Sequence, residues 1–322
     1  MNASLPPCYD LASLAKPLVT APLALACLDL EADRRWRLGF WERSEPLTVR
    51  QLLSHSAGLP PWRPFTGEGL AAQLRRPVGE DPLLRSARVG ESTYSDLGYR
   101  LVAELLEAEL GLDWRTLGAA ASGLSPWPWP SAPLALPPGR DREAWAAATD
   151  VPFPEPVLGR PHDANARAGM KGHAGFAATA PQLRAVLGTW RAWVPRMAVP
   201  TARTAEGQVW GLGLMNAQRG AGRFAELLRR VPKGCGGVHL IEDATESRPD
   251  PAPDLVGGPG EETDWWFHTG YTGPLLCVRP LDGCVLAVLA HRRGPGDELL
   301  TEAELRGRRW GALARLADTL NG

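Results

Sequence analysis

The hydrophobic pattern changes once along this chain, near Ala205, and that change narrows the fold more than any other feature. Before it, apolar residues recur mainly at helical spacing. After it, "GQVWGLGLMNA", "GGVHLIED", "DWWFHTGYTG", "PLLCVRPL" and "GCVLAVLAHRR" are short β-rich segments separated by turn residues. Such a series is the pattern of an antiparallel meander. An amphipathic stretch at about 299–320 then predicts a closing helix over one face of the sheet. Helices first, sheet second and a helix last, with no internal repeat, predict an α+β fold.

The helical half can be divided by its breakers. Residues 16–30 are apolar at helical spacing, with Pro17 and Pro22 limiting where a helix can run, so Ser13 to Lys16 is read as a first turn. "LTVRQLLSHSAGLPPW" (47–62) predicts a short helix with Thr48 as N-cap and Gly58 as stop signal. "YSDLGYRLVAELLEAELG" (94–111) predicts a longer one, capped by Ser95 or Asp96 and closed by Gly111. Six prolines between Ser125 and Gly139 exclude a helix interior there and indicate an extended loop, either an ordered connection or a Trp-rich lid. The acidic, Pro- and Gly-rich stretch 242–264 reads as a long solvated loop interrupting the sheet.

Composition removes several classes of function. A length of 322 residues with 44% hydrophobic content suffices for one large domain or two lobes. A net charge of −1 with scattered arginines offers no basic face, which argues against nucleic acid as a partner. The longest nearly apolar run, Pro17 to Leu28, is about half of what a bilayer crossing requires, and the chain start lacks a signal-peptide pattern. Five cysteines without C-x-x-C spacing suit a reducing compartment better than a disulfide framework, so a cytoplasmic location is expected.

Of 35 basic residues only Lys16, Lys171 and Lys233 are lysines. Arginine keeps its proton, whereas a partly buried lysine shifts its pKa readily and can act as a base. Lys16 stands three residues after Ser13, on one helical face, where its amine can reach the serine hydroxyl as a base reaches its nucleophile. Tyr94 in "TYSDLG" precedes a helix start and can present its phenol to the same cleft. In "FHTGYTG" (267–273), strand alternation puts His268 and Gly270 on one face, and exposed N–H groups there can complete an oxyanion hole.

Taken in order, "YDLASLAKP", "LTVRQLLSHSAGLP", "YSDLGY", "PHDANARAGMKGHAGFAATA" and "FHTGYTG" make the chain resemble the β-lactamase-related, penicillin-recognising serine hydrolases. That family includes class C β-lactamases, D,D-peptidases, D-aminopeptidases and related esterases, and the resemblance spans nearly the whole chain. It implies a β-lactamase/transpeptidase-like domain over 1–322. A mainly helical lobe within about 25–195 and an antiparallel sheet lobe at about 205–322 would hold the site between them. It implies that Ser13 is acylated, that Lys16 accepts its proton and that Tyr94 passes a proton to the leaving group. The oxyanion would sit between the N–H groups of Ser13 and Tyr271, with Asp96, His268, Thr269 and Gly270 around the substrate. No cofactor or metal is implied, and the substrate would be a small ester or amide.

Three departures modify the expectation. Asp96 stands where relatives usually have Asn; its carboxylate would raise the Lys16 pKa and shift the role of base toward Tyr94. His268 replaces the lysine of K-T-G, which favours esterase or amidase chemistry over carboxylate recognition and predicts turnover that varies between about pH 5.5 and 7.5. Twelve residues precede Ser13, where relatives carry a helix and two strands. That shortening predicts an exposed sheet edge, with dimerisation or loss of activity as results. The rival reading is a non-catalytic binding protein, against which the retention of Lys16 in an arginine-dominated chain counts.

Other residues are read as structural. His162, Asp163, Asn165 and His173 are expected to hold a loop by hydrogen bonds, with Lys171 near the cleft, and His55 to be a satisfied core histidine. Cys235 and His239 make a poor zinc half-site. "GLG" and "GGPG" lack the context of a dinucleotide site. Trp265 and Trp266 are divided between core packing and the cleft wall.

Overall fold

A computed structural model of the chain describes residues 8–35, 46–75, 89–126, 161–218, 223–242, 263–290, 292 and 300–322. A small sheet is formed by β1 (Cys8–Asp10), β2 (Ser125–Pro126) and β3 (Phe176–Thr179) in the order β1-β3-β2. The large sheet has seven strands: β4 (Ala202–Arg203), β5 (Val209–Trp210), β6 (Met215–Asn216), β7 (Gly237–Glu242), β8 (Trp266–Thr269), β9 (Leu275–Arg279) and β10 (Cys284–Leu289). Their order is β4-β5-β6-β8-β9-β10-β7.

Alternation explains why these strands read as nearly continuous apolar runs. In β8 to β10, Trp266, Leu276, Val278, Val285, Ala287 and Leu289 join the core shared with the helical body. Their neighbours Phe267, Leu275, Cys277, Cys284, Leu286 and Val288 point the other way into a second core. Both faces are therefore buried, and a period of two shows only as a division between two cores. The second core is closed by Phe224, Leu227 and Leu228 of helix Arg223–Arg229 and by Trp310, Leu313 and Leu316 of helix Glu302–Asn321. Trp265 and Trp266 are both buried, one in each core, so neither forms a cleft wall.

The sheet is mixed rather than wholly antiparallel. "GGVHLIED" does become a strand, but β7 runs parallel to β10, with Cys284 opposite Gly237 and Leu289 opposite Glu242. Parallel neighbours need a long crossover, and here residues 243–283, including β8 and β9, intervene between the two strands. The outer edge of β7 is faced by helix Ala180–Trp190, whose Arg184 donates to the Val238 and Leu240 carbonyl oxygens at 3.2 and 3.4 Å. β7 is nonetheless half-exposed along its length, so this side of the sheet remains partly open, as expected of an edge strand.

Helix ends follow local chemistry where the chemistry is local. Thr48 and Gln51 form a capping box for Val49–Leu53, and Ser95 caps Asp96–Leu110, which Gly111 closes at φ 66°. Thr301 and Glu304 cap the last helix, which starts at Glu302. The first of these stops at Leu53, five residues before Gly58, because His55 adopts φ 60° and turns the chain early. In the Pro-rich stretch, Ser125–Pro126 pairs with β3 instead of looping, and the rest of the proposed lid lies outside the described residues. So does the 242–264 loop between Glu242 and Thr263. Among the described residues, no helix is long and apolar enough to cross a membrane.

Candidate active site

The segment carrying Ser13 and Lys16 is not the start of a regular helix. Ala12–Leu14 forms a 3₁₀ turn, Lys16–Thr20 a π-helical turn with Pro17 inside it, and the α-helix proper is Ala21–Cys27. Such π-turns concentrate at functional sites. Just before Ser13, Ala12 adopts φ 45°, a left-handed conformation that costs energy in a non-glycine residue. What holds it is Asp10, whose carboxylate accepts from Ala12 N at 2.8 Å and from His162 N at 2.7 Å, while its carbonyl accepts from Thr272 Oγ1 at 2.7 Å. Burial pushes the Asp10 carboxyl up to about 6, against the lowering by those N–H groups.

Lys16 is fully buried and its Nζ meets three oxygens. It donates to Ser13 Oγ at 3.1 Å and to the His173 carbonyl at 3.2 Å, and it lies 2.7 Å from Asp96 Oδ1 in a contact ion pair. Burial pulls the lysine pKa down, but Asp96 and, more weakly, Tyr94 outweigh it, so it ends above the ordinary lysine value. The amine is therefore an ammonium near neutral pH. The Tyr94 ring lies 4.8 Å from the same nitrogen. Burial raises the Tyr94 pKa, which Lys16 only partly offsets, so its phenol is protonated at rest.

Strand β8 brings the His-Thr-Gly segment against this turn. A Cβ on Gly270 would come 2.8 Å from the Leu11 carbonyl oxygen, so the absence of a side chain is what lets the two segments meet. Gly270 N is taken by the Pro274 carbonyl at 2.8 Å. Behind the turn, buried Arg309 of the last helix donates to the Gly273 carbonyl at 2.8 Å and to the Gly270 carbonyl. The partly exposed Tyr271 stacks on His162, centroids 4.2 Å apart, and lies under the Arg292 guanidinium at 3.8 Å.

His268 does not behave as expected. It is buried, its Nδ1 is 2.9 Å from the Thr269 carbonyl, and burial with the Lys16 charge nearby lowers its pKa to about 3. Burial thus works against protonation of the ring over the interval where titration was expected, and turnover that varies there is not to be sought at His268.

Ser13, Tyr94, Asp96, Thr269 and Tyr271 line one cleft of about 350 Å³, with Asp163, Glu302 and Arg309 also in its wall. His268 lies in a neighbouring pocket with Tyr94, Trp210 and Phe267. Lys171 lines a larger adjoining cavity of about 420 Å³ and is held by Glu107 at 2.6 and 2.7 Å, away from Ser13. Asp163 caps helix Ala164–Arg167 and meets His173 Nε2 at 2.9 Å, while Asn165 bonds to Arg63 and Phe65 backbone. Asp96, Asp163 and His173 converge closely enough to hold a cation. The Lys16 ammonium already supplies positive charge to both carboxylates. His55 is buried among Tyr94, Tyr99 and Trp210, accepting from Ser95 N at 3.0 Å.

Sequence reasoning missed Asp10 and Arg309. "DLAS" carried a signal for the first, an Asx-turn two residues long. A lone arginine on an amphipathic helix carried none.

Helices around a mixed sheet, with a serine and a buried lysine at their junction, make a β-lactamase/transpeptidase-like fold. The chain belongs to the β-lactamase family, whose model matches residues 8–308. It is similar to a class C β-lactamase from Rhodobacter sphaeroides, 16% identical over 96% of this chain and 85% of that one, TM-score 0.56. It is also similar to EstCE1, a hydrolase with promiscuous acyltransferase activity, 17% identical over 98% and 85%, TM-score 0.53. SurE is 20% identical over 98% of this chain and 65% of that one, TM-score 0.52, and the chain spans 59% of the length of SurE with D-Leu. At these identities the likeness concerns the fold. A search of curated proteins found no match.

Proposed function

We propose that the protein is a metal-independent serine hydrolase that forms a covalent acyl-enzyme on Ser13 and releases it to water. The observation that carries this reading is Lys16 Nζ, fully buried and 3.1 Å from Ser13 Oγ at the wall of a cleft. A buried amine is costly to build, and here Ser13 Oγ is the one hydroxyl among the three oxygens it meets.

Because Lys16 rests as an ammonium, it cannot take the serine proton until it gives one up. The acceptor is Asp96 Oδ1 at 2.7 Å. As Ser13 Oγ attacks the substrate carbonyl carbon, its proton passes to Lys16 while Lys16 passes one to Asp96. The Tyr94 phenol then protonates the leaving oxygen or nitrogen and is reprotonated from Asp96 through Lys16. Water deacylates the serine by the reverse route, and backbone N–H groups of Ser13 and Tyr271 are assigned to the oxyanion.

Small neutral esters and amides fit best. His268 is neutral, and the arginines beside the cleft are committed: Arg309 to Gly270, Gly273 and Glu302, Arg292 to Leu300 and Glu302. No uncommitted cation among the described cleft residues is left to hold a substrate carboxylate. The acyl-transfer chemistry named for EstCE1 supports the same reading.

Intact-protein mass after a fluorophosphonate tests the proposal. A stoichiometric adduct mapped to Ser13 and absent from Ser13→Ala is expected, with p-nitrophenyl esters turned over faster than nitrocefin. No adduct on folded protein would favour the non-catalytic alternative.

A further inference from the structure

Far from the cleft, two cysteines that the reaction does not use meet at the edge of the large sheet. Cys235 lies in the turn before β7 and Cys284 opens β10, and their Sγ atoms are 2.8 Å apart. The register explains the meeting: Cys284 is opposite Gly237, two residues beyond Cys235. Cys284 is buried, whereas Cys235 is partly exposed. The Arg279 guanidinium lies 3.5 Å from Cys235 Sγ and is anchored by Asp282 at 2.6 and 3.0 Å. His239 Nε2 is 2.7 Å from the Cys235 carbonyl oxygen, which completes a cluster compact enough to suggest a metal.

Two features favour thiol chemistry over a cation. Thiolates that share a tetrahedral zinc sit about 2.3 Å from it, hence well over 3 Å from each other; these sulfurs are closer. The group already beside Cys235 is the Arg279 guanidinium at 3.5 Å, which donates to the sulfur and occupies the side from which a cation would have to approach.

We propose that Cys235 and Cys284 form a reversible thiol–disulfide site that clamps the start of β7 to β10. Cys235 is the attacking sulfur, being the accessible one beside Arg279, and Cys284 resolves. Burial raises the Cys284 thiol well above its ordinary value, which suits a group that reacts second and within the molecule. With glutathione disulfide as oxidant, the Cys235 thiolate attacks one glutathione sulfur, breaks the S–S bond and releases a glutathione thiolate. Cys284 sulfur then attacks Cys235 sulfur, expels the second glutathione, and its proton goes to the leaving thiolate. The two protein thiols lose two electrons, and glutathione disulfide becomes two glutathione molecules. The bond closes a chain span of 49 residues, so it restrains the unfolded state strongly.

The test equilibrates the full-length folded protein with glutathione disulfide, followed by intact mass and non-reducing peptide mapping. Loss of two hydrogen atoms, a Cys235–Cys284 linked peptide and a Tm higher by about 5 °C, reversed by dithiothreitol, are expected. Cys235→Ser and Cys284→Ser should each abolish the linked peptide and the reductant-sensitive shift, with unchanged circular dichroism showing that they fold. Three outcomes would overturn the proposal: both thiols remaining titratable under oxidising conditions, Cys235 stopping at a glutathione adduct, or stoichiometric zinc retained by the reduced protein and released by thiol blocking.

Discussion

A lysine whose Nζ already meets the Ser13 hydroxyl, the His173 carbonyl and the Asp96 carboxylate has no lone pair to lend. Its charge state is set by Asp96, and that can be measured. In Asp96→Asn, only the weaker Tyr94 contact still opposes the effect of burial on Lys16, so its pKa falls; a base with a lowered pKa is available at lower pH. Fluorophosphonate labelling of Ser13 should then acquire a rising limb at lower pH than in the wild type. A profile identical to wild type would remove Asp96 from this role. Asp10 makes a second case. Its folded pKa of about 6 exceeds the model carboxylate value of 3.8, so the fold binds this proton more tightly than the unfolded chain does. Its contribution to stability is therefore present at low pH and lost as pH rises from about 4 to 6, by about 3 kcal/mol. Urea titrations across that range should show the loss in wild type and not in Asp10→Ala. Ser13, Lys16 and Tyr94 were legible as a spaced motif; the local turn of Asp10 onto Ala12 left a trace in "DLAS", whereas its contact with His162 left none, because that partner is 152 residues away.

At the scale of elements, the cleft depends on how closely β8 approaches the Ser13 turn. Gly270→Ala would press a methyl group against the Leu11 carbonyl and push the two apart. The rate of Ser13 acylation should fall about 10²-fold, as expected for a misplacement near 1 Å, with circular dichroism unchanged. A rate within twofold of wild type would show that the approach is not needed. Helix Asp96–Leu110 was legible at both ends because Ser95 and Gly111 act locally. The early stop of Val49–Leu53 was not, since His55 is held by Ser95 and packed among Tyr94, Tyr99 and Trp210 from other segments. Nor was the π-turn at Lys16, which places the amine among partners more than seventy residues away.

For the whole molecule, the large sheet separates two cores, and Ser13 belongs to one side. Trp310, on the other side, stacks toward Phe224 with centroids 6.4 Å apart. Trp310→Ala should cost about 3–5 kcal/mol in urea unfolding. The rate of Ser13 acylation under native conditions should stay at the wild-type value, and a loss of rate in the folded variant would show that the two sides are coupled. The parallel β7 could not be read from the sequence, because an apolar run predicts a strand but not its partner. Register is decided by which edge remains open after the antiparallel strands have paired.

The sequence by itself determined the alternation of helix and strand, the caps, and the serine–lysine spacing, because these depend on residues within a turn or two of each other. Tertiary structure alone decided that Lys16 and His268 are buried and that Asp96 lies 2.7 Å from the Lys16 amine, that β7 closes the sheet in parallel, and that Cys235 meets Cys284. Desolvation and Coulomb energy depend on distance through space, and distant segments of a chain acquire that distance when they pack.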